Sequence, residues 1–138
     1  MERYLGKFEP YFYALMRIIV GFLFMWHGSQ KMLGFPAPQP QPGRPAPSLD
    51  AISATAGTIE LVCGALIMIG LFAGFAAFLA SGLMAFAYFI AHGLKAFLPI
   101  QNGGEIAVLY CFVFLYIASR GAGLLSLDSL IFRNDKRT

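Results

Sequence analysis

An all-α bundle embedded in a membrane is the fold class this chain predicts, and three observations predict it. Of its 138 residues 58% are hydrophobic and 12% charged, whereas about 25% are charged in a typical soluble domain. The apolar residues run in four long stretches, more surface than the core of so small a globule could hide. The ionisable residues inside those stretches gather toward one end of the bundle they would form. His27 and Lys31 close the first stretch, Glu60 interrupts the second, His92 lies near the end of the third, and Glu105 opens the fourth.

The first span reads as about 11–33, long enough at 1.5 Å per residue to cross a hydrocarbon core of ~30 Å. Pro10 suits its start. Its apolar run exceeds the ~7–15 residues of a signal-peptide core, and no small-residue cleavage site follows, so it is expected to remain in the mature chain. The stretch from Asp50 to Leu98 is too long for one crossing, and Gly70 to Gly74 offers the turn between spans of about 51–71 and 75–97. Pro99 with Asn102, Gly103 and Gly104 stops the third helix. The fourth span runs over about 104–120 until Gly121 and Gly123 break it, and an amphipathic tail over 124–138 is expected along the cytoplasmic membrane surface.

An even number of spans puts both termini on one side. Arg3, Lys7, Arg17, Arg120, Arg133, Lys136 and Arg137 fall there, with only Lys31, Arg44 and Lys95 on the other. The excess of positive charge predicts cytoplasmic termini in a bacterial inner membrane. The loop over 35–47 carries six prolines, which favour extended polyproline II and a stiff outer spacer, lid or docking strip. Small residues let helices approach closely in lipid. Ala73, Ala77, Ser81 and Ala85 on the third helix, with Ser53, Gly57 and Gly64 on the second, predict a tight antiparallel pair. Trp26, Tyr4, Tyr11, Tyr13 and Tyr88 suit interfacial anchors.

A charge at helix-centre depth costs about 2.5–3.5 kcal/mol, so each buried ionisable group is a functional candidate. Helical rise places His27 roughly 24 Å above the terminal edge, Glu60 roughly 16 Å, and Arg17 roughly 9 Å. His92 and Glu105 come out near the height of His27, leaving Glu60 nearest the midplane. Arg17 could bridge to Glu60 as a structural ion pair, or the two could line a quinone or proton path. The candidate proton relay is Glu60, His27 and His92, and the candidate polar binding site is Arg17, Lys31, Glu105 and Asn102. The histidines near helix C-termini and Glu105 near an N-terminus also suit the helix dipoles without any ligand. The short match of Trp26–Leu33 to Ala91–Leu98, each followed by a helix with an early glutamate, suggests two pseudo-repeated helix pairs.

Several function classes fall away. The basic residues are scattered, which argues against nucleic acid. Cys63 and Cys111 form no CxxC pair and read as small core hydrophobes. Two histidines without a clustered ligand motif argue against haem or a metal. No P-loop, dinucleotide fingerprint or nucleophile elbow occurs.

The order of several motifs resembles the DoxX family of small four-helix bacterial membrane proteins. The matching stretches are Leu15–Gly21, Trp26–Lys31, Glu60–Gly64 with Ile69–Phe72, then Gln101–Glu105 leading into Ser119–Gly123 and Ser126–Asp128. Together they cover nearly the whole chain. The resemblance implies a four-helix bundle in the cytoplasmic membrane and, as in some relatives, a link to a quinone-dependent redox assembly with partner subunits. Gly74-Phe75 stands where family patterns often carry a basic residue and a proline, and the proline-rich insert is unusual; both bear on the partner surface rather than the fold. The expected function is therefore a membrane subunit of a redox assembly, not a stand-alone catalyst, with a quinone as its candidate cofactor. A non-catalytic transporter or a scaffold recruiting partners is the alternative, and a homo-oligomer stays open.

Overall fold

Gly34 and Gly70 mark two of the turns that fold this chain, each in the left-handed conformation that favours glycine, with φ of 64° and 71°. A computed structural model of the protein describes residues 1–37, 49–93, 96 and 98–132. Most of the proline-rich loop, Lys95 and the tail beyond Phe132 lie outside the described residues. Helix α1, Glu9–Leu33, has 25 residues and carries Pro10 in its first turn, where a missing N–H costs nothing. Helical turns over Glu2–Leu5 and Gly6–Phe8 lead into it. Helix α2, Ala51–Ile69, starts at Asp50, whose carboxylate accepts the Ser53 N–H at 2.8 Å. Hydrogen bonding from Ser53, its side chain first and its N–H second, holds the Asp50 carboxyl below its ordinary pKa.

Helix α3, Ala73–Ala87, widens into a π-helical turn over Tyr88–Gly93. A short turn over Pro99–Asn102 then leads to helix α4, Glu105–Arg120. All regular structure among the described residues is helical. Three helical runs are long and apolar enough to cross a membrane: Glu2–Leu33, Ala51–Ile69 and Ala73–His92. At 16 residues, α4 is about 24 Å long; it packs along α3 and completes an all-α membrane bundle.

The closest helix pair is α1 with α2. A Cβ added to Gly28 would lie 2.3 Å from the Leu61 nitrogen, and one on Gly64 would lie 2.5 Å from the Met25 nitrogen. Gly21 meets Met68 and Gly64 in the same way. Glycines seven apart stay on one helix face, since seven residues make almost two turns. Gly21 and Gly28 therefore form a seam against Gly57 and Gly64, and the two backbones touch. This corrects the pairing expected from small residues: the glycines of α2 face α1 rather than α3. The stripe on α3 turns instead to α4, where the Ser81 hydroxyl donates to the Cys111 carbonyl at 2.8 Å. Phe24, Ile67, Ala77, Ala80, Phe114 and Ile117, all nearly inaccessible, fill the space between the pairs.

The chain end folds back over the α2–α3 turn. The Asp128 N–H donates to the Gly70 carbonyl at 2.9 Å, while its carboxylate accepts the Phe72 and Ala73 N–H groups at 2.9 and 3.3 Å. A residue from a distant segment thus caps the start of α3. Ser126 is buried against Gly70, and Leu125, Leu130 and Ile131 remain exposed. Losing a cap typically costs ~1 kcal/mol. The variant Asp128→Ala is expected to lower the thermal midpoint in detergent and to speed proteolysis after Gly121, with cleavage elsewhere unchanged.

Candidate functional site: a half-buried ion pair between the first two helices

Arg17 is the first surprise of the interior. It is fully buried, and its guanidinium donates to four carbonyl oxygens: Ile67 at 2.6 Å, Met68 at 2.9 Å, Leu124 at 3.2 Å and Leu125 at 2.7 Å. Ile67 and Met68 lie in the last turn of α2, whose carbonyls have no partner within the helix. Arg17 thereby ties α1, the end of α2 and the chain end together. The pairing expected between Arg17 and Glu60 does not form. Ile67 lies seven residues beyond Glu60, about 10 Å along α2, and the guanidinium is turned to the carbonyls there and at Leu124 and Leu125, leaving its buried Nε without a partner among the described residues.

Lys31 takes that role. Its ammonium lies 2.6 Å from Glu60 Oε1. The glycine seam explains why: with Gly28 seated between Gly57 and Leu61, a Cβ on Gly57 would be 3.0 Å from Lys31 Cβ. Helical side chains lean toward the N-terminus of their own helix, so Lys31 reaches inward from that level to Glu60, one turn deeper. The Glu60 side chain is 5% exposed and that of Lys31 is 39% exposed. Lysine thus covers a buried charge while its stem stays at the rim. The other carboxylate oxygen, Glu60 Oε2, is buried and has no hydrogen-bond partner among the described residues.

His27, one turn before Lys31 on α1, stands edge-on to the Tyr110 ring at 6.4 Å between centroids. Tyr110 stacks on Phe114 and tilts against Phe24. The candidate site is therefore the Lys31–Glu60 pair between α1 and α2, with His27 exposed one turn away on α1 and edge-on to Tyr110 of α4. Tyr110 was not among the residues singled out in the sequence. Its spacing of four residues from Phe114, which puts both on one helix face, is the only hint of it in the sequence.

His92 belongs to a separate cluster. Its Nδ1 lies 2.9 Å from the Asn102 carbonyl, which can only accept, so Nδ1 carries the proton. Asn102 donates to the Tyr88 hydroxyl at 3.2 Å and the Ala96 carbonyl at 2.9 Å, and accepts the Gly104 N–H at 2.8 Å. These bonds fold the connection between α3 and α4. The two histidines lie toward the same end of the bundle with different partners, and Glu105 is exposed at the start of α4. Of the expected site residues, the structure joins Lys31 to Glu60 with His27 nearby, and joins His92 to Asn102. Arg17 is spent elsewhere. Among the described residues no three His, Cys, Asp or Glu side chains are grouped to hold a metal ion.

Fold and site together define a small polytopic helical membrane protein with a buried glutamate paired to a rim lysine between its first two helices. Comparison with known proteins gives the family. The DoxX family model matches residues 12–93, which takes in α1, α2, α3 and both members of the ion pair. An uncharacterized protein of Haemophilus influenzae (strain Rd) is 42% identical over 132 residues, covering 94% of this chain and 97% of that one. No solved structure matches. The chain belongs to the DoxX family.

Proposed function

We propose that the protein is the membrane subunit of a quinone-linked redox assembly in the bacterial inner membrane, with both termini in the cytoplasm and α4 as the fourth span. The observation that carries this reading is the unpartnered Oε2 of Glu60, 3% exposed overall, inside a bundle. A buried acceptor without a donor is costly, by ~1–3 kcal/mol or more for a charged group. A ligand hydroxyl would satisfy it. Quinol hydroxyls are such donors.

A bound quinone supplies two-electron, two-proton chemistry, with electrons exchanged through a partner redox subunit. This chain's residues handle protons and position. Glu60 holds or accepts a proton at Oε2, Lys31 keeps the carboxylate in place through Oε1, and His27, exposed one turn before Lys31, is the proposed donor from the rim. The variant Glu60→Gln preserves size and hydrogen bonding but cannot take up a proton. Quinone-linked turnover of membranes carrying it is expected to fall by about 10²-fold or more, with the thermal midpoint nearly unchanged. Unaltered turnover would remove Glu60 from the chemistry and favour the transporter or scaffold reading, to be followed by solute uptake in vesicles.

A further inference from the structure

The interior of the bundle is unequal on the two sides of Glu60. Toward the end where α1 finishes and α2 begins, the next polar group is Lys31, 39% exposed at its side chain. Around it the connection out of α1 is polar too, with the Ser29 hydroxyl donating to the Phe35 carbonyl and the Gln30 amide to that of Pro36. Toward the termini the picture reverses. Phe24, Ile67, Phe114 and Ile117 are at most 1% exposed and form an apolar layer. The one buried hydroxyl at this depth, Ser81, is spent on the Cys111 carbonyl. Below the layer Arg17 and the returning segment around Ser126 close the end, with every Arg17 bond made to a carbonyl.

We propose that Glu60 communicates with water from one side of the membrane only, the side opposite the chain termini. Lys31 is the entry group, and the apolar layer backed by Arg17 is the seal. Protons and small polar solutes then exchange with the buried carboxylate through the rim at Lys31, and no polar route leads to the terminal side. This inference stands apart from the quinone reading, because access is a property of the bundle whatever the ligand is.

Labelling with a membrane-impermeant charged methanethiosulfonate tests it, in sealed vesicles of both orientations. The full chain is used with Cys63→Ala and Cys111→Ala, and vesicle orientation is read from protease access to a C-terminal tag. Glu60→Cys is expected to react only when the reagent is on the side opposite the termini. Ile67→Cys is expected to react from neither side. Reaction of Glu60→Cys from the terminal side, or from neither, would overturn the proposal. If Glu60→Cys is not recovered folded, Lys31→Cys serves in its place, with the same side expected to label and the same reversal fatal. Quinone turnover is read separately on the Glu60→Gln protein, so one idea can fail without the other.

Discussion

Arg17→Met is expected to be the most damaging single change in the chain, lowering stability by ~3–5 kcal/mol. Methionine comes near to filling the volume but donates nothing. Four carbonyls lose their only side-chain donor, and two of them, on Ile67 and Met68, lie in the last turn of α2. Because those carbonyls belong to α2 and to the returning chain end, the loss should be concentrated at the terminal end of the bundle. Thermal midpoints in one detergent, read with proteolysis of the segment after Gly121, would show it. Arg17→Lys should fall between: it keeps the charge, but an ammonium lacks the planar fork that spans two pairs of acceptors. A midpoint for Arg17→Met equal to the wild type would mean that the clamp contributes nothing to stability.

Gly28→Ala should follow in severity, at a cost of ~1–3 kcal/mol or more. The added methyl would stand 2.3 Å from one backbone nitrogen and 2.6 Å from the Gly57 carbonyl. No side chain can move aside to relieve backbone, so α1 and α2 must part along the whole seam. That parting also draws Lys31 away from Glu60, linking packing to the site. The control lies on α3, where a Cβ on Gly82 meets nothing within 4 Å. Gly82→Ala should be neutral or stabilising by up to ~1 kcal/mol, since alanine is the better helix former. Comparing the two midpoints separates a steric seam from a general dislike of larger residues.

Much of the fold was legible before any coordinates. The hydropathy of the stretches, Pro10 at a helix start and the glycine turn after Ile69 predicted helices within a few residues of those observed. The third helix is α-helical to Ala87 and continues as a π-helical turn to Gly93; the rest of the expected span to 97 lies largely outside the described residues. Lys31 and Glu60 were both recognisable as candidates from the cost of charge in lipid, yet Glu60 was matched with Arg17. Height along a helix can be counted from residue numbers. Rotation about its axis relative to a neighbour cannot, and it is set here by Gly21 and Gly28, whose part went unnoticed. Tyr110 was passed over because α4 carries two phenols, Tyr110 and Tyr116, and only its spacing of four residues from Phe114 hints at which one turns inward.

By itself the sequence determined that this chain is a helical membrane protein and which of its residues are too costly in lipid to be there without a partner. Those are properties of each segment taken alone, a matter of transfer free energy and 1.5 Å of rise per residue. Only the tertiary structure decided who partners whom: Lys31 with Glu60, Arg17 with the helix-end carbonyls, Asp128 with the start of α3. The reason is reach. Hydrogen bonds and ion pairs act over about 3 Å, and which groups come that close is settled by backbone contact between helices.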